Sequence, residues 1–294
     1  MKSIAFGQYY PANSPIHRMD PRAKVVLTVL YIVCTFLCKN AFCFAALLLS
    51  AVLLTALSRV PLRMILRSLR PLIVILAFTS LINVFMTKGA HLLTPTWQIP
   101  LWGSRIWRVQ IFEEGLWNAL FMILRIVVLL ISTSVLLSYT TTPIALTDAL
   151  ERLFAPLKLI KVPVHDIAMM TTIALRFIPT LLDETQRIMN AQKARGADFT
   201  SGGLIRRAKA LLPVLVPLLV SAFNRAYELA AAMECRCYHG GKGRTRMKIL
   251  RLRFTDVLAV LLVIAFGVGI VFLTRMGRVY EINVHGFDLF YTMK

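Results

Sequence analysis

Five apolar runs separated by basic segments constrain this sequence more than any other feature. Residues 25–37, 41–57, 71–86, 116–137 and 257–273 are almost wholly apolar. A membrane-spanning helix needs about 20 such residues, with about 17 as the lower limit. Inside lipid only a helix or a closed barrel satisfies every backbone N–H and C=O. Runs of 13 to 22 residues, the first reaching span length if its helix begins near Pro21, without alternation of polar and apolar residues, predict an all-α polytopic membrane protein of about five transmembrane helices. Composition agrees: 57% of residues are hydrophobic and only 16% charged, against about a quarter charged in a soluble domain.

The amino-terminal stretch is polar and broken by Pro11, Pro15 and Pro21. It lacks the basic and apolar regions of a cleavable signal, so the first span is expected to direct insertion. Asp20-Pro21-Arg22-Ala23-Lys24 has the form of a helix start, with Asp as N-cap and Pro at the first position. Arg22 and Lys24 are expected among lipid phosphates. Lys39-Asn40 marks a tight turn between the first two spans. Arg59, Arg63, Arg67 and Arg70 recur every three or four residues opposite Leu62, Ile65, Leu66 and Leu69, the pattern of a helix lying on the membrane surface. The loop 88–112 carries Trp97, Trp102 and Trp107, residues suited to the interfacial belt. Arg125 lies within the fourth span, where a charge is expensive. It either serves function, or it snorkels or pairs with Asn83 or a backbone carbonyl, and the second reading accounts for it more simply.

Residues 139–253 differ from the rest and contain more than half of the 34 Lys and Arg residues. A short amphipathic helix is expected over 146–159. A long helix follows from Asp166 to about Ala194, bent at Pro179, with Asp183 and Arg187 at i,i+4. Another runs over about 204–236, and its apolar run 210–220 is too short to span a membrane. Each helix has an apolar body and a polar tip, so one end of each is expected in the membrane and the other in water. Three parts result: 1–138 with four spans, 139–253 as a cytoplasmic domain, and 254–294 with the fifth span and a tail. With the amino terminus inside, inside segments hold 26 Lys and Arg against 7 outside, the bias of the positive-inside rule. The basic stretch 240–253 suits an anionic leaflet.

The formal net charge of +20 fits an acidic lipid or an acidic partner. The cations are scattered between apolar runs without a recognised module, which argues against nucleic acid. No Gly-rich loop ending in Lys-Ser/Thr is present. Cys34, Cys38 and Cys43 fall in or beside apolar segments, where cysteine acts as a small hydrophobe. Cys235, Cys237 and His239 do not match a zinc-ligand spacing. No catalytic set and no metal or cofactor site emerges, and no chain of acidic residues crosses the spans.

What remains is a pair of tips, Ala194-Arg195-Gly196 and Cys235-Arg236-Cys237. A guanidinium between small residues makes several fixed hydrogen bonds to a partner's carboxylate or carbonyls. One such arginine before a glycine is an ordinary helix end; two in one region point to docking. Here the sequence resembles the transmembrane T component of energy-coupling factor (ECF) transporters, the EcfT/CbiQ family. The resemblance rests on Asp20-Pro21-Arg22-Ala23-Lys24, Leu175-Arg176-Phe177-Ile178-Pro179, Ala191-Gln192-Lys193-Ala194-Arg195-Gly196 and Ala232-Met233-Glu234-Cys235-Arg236. It covers nearly the whole chain.

The resemblance implies a non-catalytic subunit of an ATP-driven importer in the cell membrane. Its two coupling helices would dock into two ABC-type ATPase subunits, Arg195 on one and Arg236 on the other, with ATP and Mg bound by those partners. A separate S component would capture a vitamin or metal ion, and the sequence does not name which. Where the family has Ala-Arg-Gly in its second motif, this chain has Cys235-Arg236-Cys237. Met169, Met170, Met189 and Met233 suit either a repacking surface or plain core. Two other classes fit the sequence: a stand-alone channel or carrier with Arg125 and Asn83 on its path, and a membrane-anchored scaffold.

Overall fold

The computed structural model describes residues 9–38, 40–86, 97–100, 106–109, 112–199, 203–240, 252–279, 283–284 and 287–288. Its helices are α1 (Pro21–Leu37), α2 (Ala41–Ser58), α3 (Leu62–Met86), α4 (Glu113–Thr133), α5 (Pro143–Leu153), α6 (Val164–Ala194), α7 (Leu204–Cys235) and α8 (Phe254–Val279). A π-helical segment, Ser134–Tyr139, extends α4, and a 3-10 segment, Ala155–Ile160, follows α5. The fold is all-α apart from two small antiparallel hairpins. One pairs β1 (Trp97–Pro100) with β2 (Ile106–Val109), and the other β3 (Asn283–Val284) with β4 (Phe287–Asp288).

Among the described residues, five helical segments are long and apolar enough to cross a membrane: α2, α3, α4 with its π extension, α7 and α8. The number matches expectation; the membership does not. Helix α1 has 17 residues, the lower limit for a span. Helix α7 reaches the required length because its ends add to the apolar run 210–220 that looked too short alone. The surface helix expected over 59–70 and the third span are one continuous helix, α3, with Pro71 inside it. The arginine stripe is its first two turns. A proline inside a membrane helix is tolerated where neighbours re-satisfy the freed carbonyl. Helix α5 stops at Leu153 rather than near Leu159, since Pro156 cannot donate to an α-helical ladder. Asp166 sits in the first turn of α6 rather than capping it; Pro163 is the N-cap. The tryptophan loop and the basic stretch 241–251 fall largely outside the described residues.

The chain forms two compact units. The first comprises Gly7–Thr142 and Leu250–Lys294, so α8 joins α1–α4. Its core gathers Tyr31, Cys34 and Cys38 with Phe44, Leu47 and Phe121. Phe44 stacks on Phe121 with ring centroids 4.9 Å apart. Gly267 lets α8 press onto α1: a Cβ there would lie 2.8 Å from Cys34 Sγ, the small-residue contact that substitutes for a hydrophobic drive between helices in lipid. The outward faces carry Val33, Phe36, Leu49, Val74, Phe78 and Phe272, all exposed, as lipid-facing surface requires. The second unit is built on Pro143–Ile249. Within it His165 Nδ1 on α6 lies 2.9 Å from Glu151 Oε1 on α5.

Candidate functional site

The two tips have the same backbone geometry. Helix α6 ends with Arg195 as C-cap and Gly196 in the left-handed region at φ 87°. Gly196 N–H donates to Lys193 O and Ala197 N–H to Gln192 O, both at 3.0 Å. Helix α7 ends with Arg236 as C-cap and Cys237 left-handed at φ 54°. Cys237 N–H donates to Glu234 O at 2.8 Å and Tyr238 N–H to Met233 O at 3.0 Å. These are the paired bonds of a Schellman motif at both ends. Cys237 therefore occupies the place of Gly196, and the departure from Ala-Arg-Gly leaves the backbone form intact.

A side chain in this conformation costs about 1 kcal/mol. Cys237→Gly is expected to stabilise the end of α7 by about that amount, and Gly196→Ala to weaken α6 equally. Amide exchange at residues 234–238 and 193–197 measures both. Arg195 and Arg236 are exposed, as are Ala194, Gly196, Cys235 and Cys237. Neither guanidinium has a hydrogen-bond or ion-pair partner among the described residues.

Contacts between α6 and α7 fix where the tips point. Glu184 accepts from Ser221 Oγ and Arg225 Nη2, each at 2.6 Å. Tyr238 O–H donates to Met169 Sδ at 3.0 Å. Position 184 thus meets 221 and 225 while 169 meets 238, so the helices run antiparallel. Ile173, Phe177 and Leu181 face Ala222, Ala226 and Met233 across a groove of about 300 Å³. At 1.5 Å per residue this register sets Arg195 and Arg236 roughly 35 Å apart along the pair, at opposite ends. An upright pair would send the tips in opposite directions.

Among the described residues, α6 is ion-paired to α7 through Glu184–Arg225, and no Asp183–Arg187 pair forms along its own face. Glu184 and Arg225 are part-exposed, so a cycle of Glu184→Gln and Arg225→Gln is expected to give a coupling of about 1 kcal/mol in thermal unfolding.

In the first unit the ends of three helical segments meet at a buried polar centre. Lys24, 1% exposed, donates from Nζ to Thr140 O at 2.7 Å and Thr141 Oγ1 at 3.3 Å. It is not among lipid phosphates. Asp20 caps α1 through Arg22 N–H, and its own N–H donates to Asp256 Oδ1 at 3.3 Å. Asp256, fully buried, also accepts from Arg253 N–H at 2.8 Å, reaching back over the start of α8 as a residue at the third helical position does. One face of α1 was legible as a cap; that Lys24 turns inward was not, because Thr140 is 116 residues away. Arg125 Nη2 donates to Cys38 O at 3.0 Å and lies over the Phe44 ring. Asn83 instead reaches Thr79 O and Met122 Sδ. A backbone carbonyl is thus among the partners of Arg125.

The family model described as cobalt transport protein, CbiQ, matches residues 12–249. The chain is 50% identical over 274 residues to the energy-coupling factor transporter transmembrane protein EcfT of Ruminiclostridium cellulolyticum, covering 93% of this chain and 96% of that one. This chain belongs to the EcfT/CbiQ family. The protein of the same name from Thermosediminibacter oceani is 46% identical, with 92% and 97% covered. That of Clostridium kluyveri is 47% identical, with 88% and 92% covered. A multi-pass transmembrane component of an ECF transporter accords with the five candidate spans.

Proposed function

We propose that the chain couples ATP hydrolysis by two ABC-type ATPase subunits to reorientation of a substrate-binding S component, for uptake of a vitamin or other micronutrient across the cell membrane. One observation carries this reading: two unpartnered arginine tips of identical backbone form stand at opposite ends of one antiparallel helix pair. Both tips reach the same aqueous layer only when the pair lies along the membrane plane. In that pose α7 lies in the plane despite its span-like length, α1 with its 17 residues takes its place among the five spans, and each tip meets its own ATPase subunit. The pair, with the amino terminus, then lies on the cytoplasmic side that the basic segments favour. ATP and Mg belong to the partners, and this chain contributes no catalytic group.

The rest of α7 supplies the other half of the coupling. Leu211, Leu215, Leu219 and Phe223 are each about half exposed, a large apolar surface that needs cover by lipid or protein. A sliding S component is such a cover. When ATP draws the ATPase subunits together, the tips move with them, and the apolar face offered to the S component changes. A stand-alone carrier fits less well, since Arg125 and Asn83 are already engaged within the helix bundle.

The test is reconstitution. With both ATPases and an S component in liposomes, ATP is expected to drive uptake; the chain alone is expected to carry none. Uptake by the chain alone sinks the proposal.

A further inference from the structure

A cavity of about 840 Å³ opens in the first unit between α2 and α8, with α1 as its floor. At the ends of α2 and α8 away from Arg59 and Arg253, Cys43 Sγ on α2 lies 3.6 Å from Thr274 Oγ1 on α8. Leu54, Leu57, Leu262 and Phe266 form the walls, and buried Leu27 and Tyr31 the floor. The polar atoms deep in the cleft answer one another: Tyr31 Oη lies 2.7 Å from Ser50 Oγ and 3.2 Å from Leu47 O. The depth therefore suits an apolar chain.

The mouth has the opposite character. Arg18, Arg59 and Arg253 line it and are exposed. No described Asp or Glu lines the cavity; Arg59 Nη1 donates to Asn13 O at 3.4 Å, and none of the three arginines forms an ion pair with a described residue. The nearest carboxylates, Asp20 and Asp256, are buried and held by backbone N–H groups of residues 20, 22 and 253. Arg59 stands in the left-handed region at φ 55° as the C-cap of α2, a position where glycine is the unstrained residue. Ser14 Oγ–His17 Nδ1 at 2.7 Å and His17 Nε2–Tyr10 O at 2.8 Å brace the segment that carries Arg18. Burial moves the His17 pKa below its ordinary value.

The dimensions match one leaflet. Nine residues separate Arg59 from Ser50 and thirteen separate Arg253 from Phe266, roughly 14–20 Å of helix, against about 15 Å for half the hydrocarbon core. We propose that this cleft is a binding site for one anionic phospholipid, its phosphate held by Arg18, Arg59 and Arg253 and an acyl chain laid between α2 and α8. The site is independent of the ATPase reading above.

The test titrates the delipidated full chain with phosphatidylglycerol, and separately with phosphatidylcholine, followed by native mass spectrometry. Phosphatidylglycerol is expected to stay bound as a single adduct and to outlast phosphatidylcholine. An arginine beside an anionic headgroup contributes about fivefold, so Arg18→Gln/Arg59→Gln/Arg253→Gln should weaken phosphatidylglycerol on the order of 100-fold. Arg63→Gln/Arg67→Gln, exposed arginines of α3 outside the cleft, should leave it unchanged. Deacylated glycerophosphoglycerol should fail to displace the lipid. Equal retention of both lipids, equal loss in the α3 variant, or full displacement by the deacylated headgroup would each overturn the assignment.

Discussion

Replacing Arg195 and Arg236 with glutamate together is expected to abolish co-purification of both ATPase subunits and to stop ATP-driven uptake, while the chain still inserts and folds. Both side chains are exposed and unpartnered among the described residues, so the exchange removes nothing from the fold itself. The internal cost is an acidic group at a helix C-terminus, a few tenths of a kcal/mol. In the proposed docking each guanidinium would face a partner's carboxylate or carbonyls, and truncating one member of such a buried pair costs about 2–5 kcal/mol, roughly 30- to 4,000-fold in affinity. Reversing the charge adds repulsion. The tips are far enough apart to act independently, so the two single variants should each lose part of the affinity and the losses should add. Arg63→Glu/Arg67→Glu, exposed on α3 and outside the helix pair, controls for net charge and should assemble normally. Full assembly and uptake in the Arg195/Arg236 double variant would remove docking at the tips from consideration.

Legibility in the sequence followed the range of the interactions. The Asp20-Pro21 cap and the carboxyl-terminal ends of α6 and α7, with Arg195 and Arg236 at them, depend on neighbours within five residues, and each stands where the sequence placed it. The break between 70 and 71 was misplaced because arginine followed by proline resembles a helix boundary, whereas α3 runs through both. Cysteine at 237 looked like a departure from the tip motif because residue identity hides the dihedral angle; its φ of 54° makes it the counterpart of Gly196. Antiparallel pairing of α6 and α7 rests on Glu184 meeting Ser221 and Arg225, about 40 residues on, and no local pattern encodes that register. Lys24 was misread for the same reason. A lysine four residues into a helix beside the membrane has phosphate as its default partner, and only Thr140 and Thr141 from a distant turn override it.

Lys24→Met tests how much rests on that override, and a loss of about 2–4 kcal/mol is expected. Methionine keeps the length and the apolar stem, so the packing of α1 is preserved and only the ammonium is removed. The bond to Thr140 O is charge-assisted and buried, worth about 1.5–3 kcal/mol, and its loss takes that donor from the carbonyl. Asp256 then stays buried without the cation that offsets it, a further penalty. The centre ties the start of α1 to the start of α8 through Asp20 and Asp256, and to the end of the π segment through Thr140. Its loss should therefore show as faster amide exchange at residues 139–142 and 253–257, besides a lower unfolding temperature of the full chain in detergent. Neutralising the carboxylate as well separates charge from hydrogen bonding. Lys24→Met/Asp256→Asn should cost less than the sum of the two single changes, because the second removes the charge that the first left unbalanced. Strict additivity would mean that the two charges do not sense each other, and wild-type stability in Lys24→Met would mean that the ammonium holds nothing together.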